Sequence, residues 1–90
     1  MGTSRRPRPA RLASKLRQIR TSLGLTQEQL GDLLSTRKSA VYPGHVSEFE
    51  TGKREPSLLA ILAYAKVARI SVETLIDDHL ELPASLRISK

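Results

Sequence analysis

Apolar residues recur along this chain at helical spacing. Leu12, Leu16, Ile19 and Leu23 fall at i, i+4, i+7 and i+11, a single stripe that predicts a first helix over residues 10–23. Gly24 follows as a left-handed cap. A second helix starts at Thr26, where Thr26-Gln27-Glu28-Gln29 fits a capping box: the Thr26 hydroxyl accepts the Gln29 amide and the Gln29 side chain reaches back. Leu30, Leu33 and Leu34 are its expected core residues, and its end is expected within residues 35–39. Pro43-Gly44 opens a third helix, with Pro43 at the first helical position, Val46 and Phe49 inward and Gly52 as the stop. Ser57 caps a fourth helix whose stripe is Leu58, Ile61, Leu62 and Ala65. Ser71 caps a short fifth helix carrying Val72, Leu75 and Ile76. Beyond it, Leu86-Arg87-Ile88 alternates like a strand, but over only three residues. Five helices and no repeat predict an all-α bundle.

Composition narrows the picture. Ninety residues make one small domain, and one Phe, two Tyr and no Trp make its core aliphatic. There is no Cys, and His45 and His79 are too far apart to suggest zinc, so no metal or cofactor is expected. The longest apolar run is far short of the roughly 20 residues that span a bilayer. The basic N-terminus lacks an apolar signal-peptide stretch, so the expected location is the cytoplasm.

Charge is unevenly placed. The chain carries +6 and its first twenty residues +7, from Arg5, Arg6, Arg8, Arg11, Lys15, Arg17 and Arg20 with no acid, so the other seventy sum to −1. Such a segment attracts polyanions, nucleic acid first. Pro7 and Pro9 make residues 1–9 an extended arm shaped to follow a groove. The expected organisation is this flexible arm, a helical domain over residues 10–78, and a tail over 79–90.

The helical part resembles the phage-repressor-like helix-turn-helix domains of Cro/CI type, the XRE family. The residues that carry the likeness are Leu16-Arg17, Arg20, Leu23-Gly24-Leu25-Thr26-Gln27, Leu30, Val46-Ser47, Phe49-Glu50, Gly52, Pro56-Ser57 and Ile70-Ser71-Val72 with Leu75. They occur in order over residues 12–78. The resemblance implies a five-helix lambda-repressor-like bundle that lays its third helix in the DNA major groove. The chain departs from the pattern twice. Gly31 stands where a small residue such as Ala is usual. The stretch from Leu30 to Glu50 is about five residues longer than the pattern, with the insertion between helices 2 and 3.

The resemblance assigns roles. Gln27 sits at a helix N-terminus, whose free amides and partial positive charge suit phosphate. The outward residues of helix 3 are Gly44, His45, Ser47, Glu48 and Thr51. Of these, His45 is the candidate for guanine and Glu48 for cytosine N4. Lys53 and Arg54, just past the stop, are expected on backbone phosphate. They do not form a nucleotide-cradling loop, because the required earlier Gly and following Ser or Thr are missing. Arg17 in the basic first helix joins the DNA-facing set. Arg37 and Lys38, on the insertion, form a phosphate clamp or only a solvated loop, and Tyr42 is expected to pack that loop down. Arg20 and Glu50 match the ion pair that ties helix 1 to helix 3.

The function expected is sequence-specific binding of double-stranded DNA by a transcriptional regulator, a repressor acting as a homodimer on a two-fold operator. Helix 5 with the tail is the expected dimer contact. The alternative is a protein-interaction module, antitoxin-like or a regulatory partner, that kept the fold without reading DNA. The bare side chains at Pro43-Gly44 favour that alternative and the basic arm opposes it. No nucleophile–base set or carboxylate pair forms a recognisable motif, so catalysis is not expected.

Overall fold

The computed structural model describes residues 8–86. In order come α1 (Leu12–Ser22), α2 (Gln27–Leu34), α3 (Pro43–Thr51), α4 (Leu58–Ala68), α5 (Val72–Ile76) and a 3₁₀ turn, Ala84–Leu86. Among the described residues there is no strand, and no helix is long and apolar enough to cross a membrane. Leu86 closes the 3₁₀ turn, while the rest of the strand-like Leu86-Arg87-Ile88 signal lies outside the described residues.

Local chemistry sets most boundaries. The capping box of α2 has both halves, Gln29 N donating to Thr26 Oγ1 at 3.0 Å and Thr26 N to Gln29 Oε1 at 2.9 Å. Ser57 and Ser71 accept from Ala60 N and Thr74 N and so start α4 and α5. Gly24 (φ 72°) and Gly52 (φ 80°) end α1 and α3 in the left-handed region. The second helix stops at Leu34, short of the expected 35–39, because Ser35 turns extended. Its hydroxyl donates to Gly31 O at 2.8 Å and accepts Val41 N at 2.8 Å, which pins the far end of the insertion onto α2.

Leu16, Ile19, Leu30, Val46, Tyr64 and Leu75 are completely buried, with Leu12, Leu34, Phe49, Ile61 and Leu86 around them. Phe49 and Tyr64 meet edge to face, with centroids 6.4 Å apart. The Tyr64 hydroxyl has no hydrogen-bond partner among the described residues, and burial pushes its pKa well above the usual phenol value.

Three leucine assignments change. Leu33 is 54% exposed, Leu58 85% and Leu62 39%. In α4 the buried face is Ala60, Ile61, Tyr64, Ala65 and Ala68. Bringing Tyr64 against Phe49 rotates Leu58 and Leu62 out. Tyr42 does not hold the loop down: it is exposed, with its ring 5.6 Å from that of His45. Lys15 is no part of a basic surface. It is 1% exposed, and its Nζ donates to Thr74 O (2.8 Å) and Asp77 O (2.9 Å), carbonyls at the end of α5.

The insertion is built rather than loose. Thr36 and Ser39 exchange backbone hydrogen bonds, and the Thr36 hydroxyl accepts the amides of Lys38 and Ser39. The chain then lies across α2 at Gly31, where an added Cβ would meet Val41 O at 2.7 Å.

A second tie crosses the core. Arg20 Nε donates to Glu50 Oε2 at 2.6 Å and Nη2 to Oε1 at 3.1 Å, while Nη1 donates to Leu25 O. Glu50 is 4% exposed and Arg20 18% in their side chains. One fork joins α1, the turn after it and α3.

Gly31→Ala should lower unfolding free energy by about 1–2 kcal/mol in urea, although Ala is the better helix former, because a backbone carbonyl must move. Gly44→Ala, with open space at its Cβ, should be neutral or stabilising. Equal effects at both positions would exclude the clash. Arg20→Ala strands a buried carboxylate and should cost about 3 kcal/mol. A loss below about 1 kcal/mol would show that the pair is only a surface contact.

Candidate nucleic-acid interface

The exposed side of α3 is bounded by a helix N-terminus and a basic turn. Gln27 is the first residue of α2, and its Nε2 lies 3.5 Å from Glu50 Oε1. The carboxylate that binds Arg20 therefore also braces Gln27 beside the free α2 amides. At the other end, Gly52 reverses the chain into Lys53 and Arg54, both exposed. Arg54 N donates to Glu48 O at 3.2 Å and holds the turn to the helix.

Along α3 the side chains differ in what they offer. Gly44 is exposed and presents backbone only. Ser47 is half-buried. Thr51 is exposed, and its hydroxyl donates to Ser47 O at 3.1 Å, so it faces outward as an acceptor. His45 is half-buried, and its Nδ1 accepts the Tyr42 amide at 3.3 Å. The neutral ring then carries its proton on Nε2, the donor that guanine O6 or N7 requires.

Glu48 is not a lone acid. Arg54 Nε donates to its Oε1 at 2.7 Å and holds its carboxyl below the usual carboxylate range. The pair is half exposed, so its role as an acceptor for cytosine competes with a cation on its own turn.

Arg37 and Lys38 are exposed at the tip of the 36–39 turn, and Arg17 is exposed on α1. The structure thus gathers Gln27, the α3 face and the Lys53–Arg54 turn around one helix. Arg37 and Lys38 extend from the insertion, and no hydrogen bond ties Arg17 to the group among the described residues.

The cationic footprint differs from the one read along the chain. Of the seven cations in residues 1–20, Lys15 and Arg20 are spent inside. Arg11 is committed to Asp78 O and to both oxygens of Glu81. Asp78 accepts the amides of Arg11 and Ala10, which pull its carboxyl below the usual range. Arg8 donates to Gly52 O at 3.2 Å. Arg5 and Arg6 lie outside the described residues. Arg20 has the partner that the resemblance implies, but no sequence pattern marks those of Arg11 and Lys15, which lie about 60 to 70 residues further along the chain. The excess of bases before residue 20 and of acids after residue 70 is the one available hint.

A helix-turn-helix family model, HTH_3, matches residues 16–75, from α1 through Leu75 of α5. No curated protein and no solved structure gives a match. The match spans the capped α2, the α3 face and the turn after it. With two helices joined at Glu50 and carrying polar and basic groups on one side, the chain belongs to the XRE-type helix-turn-helix family of DNA-binding transcription regulators.

Proposed function

We propose that this protein binds a two-fold DNA operator as a homodimer and represses transcription by covering it. One observation carries the reading: Glu50 holds both Arg20 and Gln27, so the α2 N-terminus keeps a fixed distance from α3. In this reading α3 lies in the major groove. Gln27 with the α2 amides grips one phosphate and Lys53 with Arg54 another. His45, Ser47 and Thr51 face base edges, and Gly44 lets the backbone come close. Glu48 steadies Arg54 more than it reads cytosine. Arg37 and Lys38 clamp a neighbouring phosphate from the insertion, Arg17 adds a further cation, and residues 1–9 follow a groove.

The subunit contact is best supplied by α4. Leu58 and Leu59 are 85% and 76% exposed and Leu62 adjoins them. The α5 and tail residues expected at this contact are mostly used within the chain: Leu75 is buried, and Val72 and Leu82 pack against the core. Exposed apolar clusters on small soluble proteins mark contact surfaces. The same leucines favour the second reading, a module whose partner is another protein.

Selection of bound sites from random duplexes, followed by salt titration of the winner, tests the function. A palindromic winner and steep salt dependence are expected. Affinity that ignores both sequence and salt would leave the interaction module. On the selected site, Lys53→Ala should weaken every duplex alike and lower the salt slope by about one unit. A loss confined to one base pair would assign Lys53 to base reading instead. Light scattering of Leu58→Asp/Leu59→Asp should give a monomer that retains the parent's circular dichroism. A variant that stays dimeric would return the contact to Ile76 and Leu80.

A further inference from the structure

The N-terminal segment is rooted on the residues after α5 and reaches the end of α3. Ala10 N and Arg11 N donate to the two carboxylate oxygens of Asp78, at 2.8 and 3.0 Å. The Arg11 guanidinium spans Asp78 O and both oxygens of Glu81, at 2.9 to 3.2 Å. These five bonds fix the backbone just ahead of α1. Two residues earlier, Arg8 Nη2 donates to Gly52 O at 3.2 Å. That carbonyl caps α3, where the helix ends partially negative and holds a cation well. A cleft of about 150 Å³ lies between Arg8, Pro9 and Leu12 on one side and Phe49, Gly52 and Arg54 on the other. Arg8 is exposed, and one guanidinium nitrogen serves Gly52. Its charge therefore sits beside Lys53 and Arg54 on the same edge.

We propose that Arg8 is a further phosphate-binding residue of this edge, and that Asp78 and Glu81 are positioning residues that set where the N-terminal segment meets the duplex. The inference rests on the DNA-binding reading above. Arg8 lies ahead of α1 and Lys53 just past α3, yet the bond from Arg8 to Gly52 O brings both cations to one turn, beside the Arg54–Glu48 pair. A polyanion with closely spaced charges, the backbone of duplex DNA, fits such a site. Anchoring at Ala10 and Arg11 restricts the root of the arm before DNA arrives, so less freedom is lost on binding. A purely structural role for Asp78, as an anion at the start of α1, would stabilise the fold but leave the arm's path on DNA unaffected.

The chain has no cysteine, so Ser4→Cys in the 90-residue chain accepts a single iron chelate that cuts nearby DNA strands. On the selected duplex, the cuts should fall in a narrow window. That window should flank the phosphates that Lys53→Ala uncovers in a hydroxyl-radical footprint. Adding Asp78→Ala and Glu81→Gln should spread the cuts along the duplex while circular dichroism stays unchanged at the assay temperature. If Asp78→Ala impairs folding, Glu81→Gln alone, which spares both amide bonds, should still broaden the window. Arg8→Ala should lower the salt slope by about one unit, as Lys53→Ala does. Cuts that superimpose with and without Asp78 and Glu81 would overturn their positioning role. An unchanged slope in Arg8→Ala would overturn the phosphate contact. A parent protein that retains no duplex at low salt would instead defeat the DNA-binding reading itself.

Discussion

The Glu50 carboxylate is the point on which the architecture turns. A core made mostly of Leu, Ile, Val and Ala packs well but is forgiving about how helices rotate against one another. Direction comes from polar bonds, and here one carboxylate at 4% exposure collects them. It receives two bonds from Arg20 on α1, and Gln27 at the head of α2 reaches it from the other side. Arg20 in turn fastens Leu25 O. A buried ion pair adds little net stability over an apolar substitute, yet breaking it on one side is costly. Its value is geometric: it sets the angle and separation of the two helices that the DNA-binding face depends on.

The insertion between α2 and α3 obeys a second constraint, one that links two apparent departures from the family pattern. A longer connection must lie somewhere, and Ser35 draws it back across α2. Its backbone then passes so close to position 31 that a methyl group would sit 2.7 Å from a carbonyl oxygen. Glycine at 31 and the extra residues after 34 are therefore one feature. The connection gains its own closure from Thr36 and Ser39, which leaves Arg37 and Lys38 at its tip and α3 starting cleanly at Pro43.

What could be read along the chain was what is decided locally. Thr26, Ser57, Ser71, Gly24 and Gly52 act within three or four residues of themselves, and their helices begin and end accordingly. The face of α4 was not decided locally. Leu58, Ile61, Leu62 and Ala65 make as good a stripe as Ala60, Ile61, Tyr64, Ala65 and Ala68. The choice fell to the second because Phe49, on another helix, offered Tyr64 an edge. Lys15 was unreadable for the same reason, since its carbonyl partners lie some 60 residues on. Residue types on the α3 face and its turn were visible in order. Their partners, above all Arg54 for Glu48, were not.

Those partners change the electrostatics of the proposed interface. An acid on a DNA-facing helix meets a dense row of phosphates and is repelled unless a cation accompanies it. Arg54 accompanies Glu48 through Nε, so the two together bring almost no net charge, and Lys53 supplies the net positive charge of that pair of turn cations. Elsewhere the apparent +7 of the first twenty residues shrinks once Arg11, Lys15 and Arg20 are assigned to Glu81, the α5 carbonyls and Glu50. The described cations outside these internal pairs include Arg8, Arg17, Arg37, Lys38 and Lys53, with Arg8 held beside the turn by Gly52. Much of the chain's positive charge thus serves to fix helices and chain ends, and the remainder is placed by those fixed elements. A few cations carried on fixed elements make register, more than bulk attraction, the quantity this fold controls.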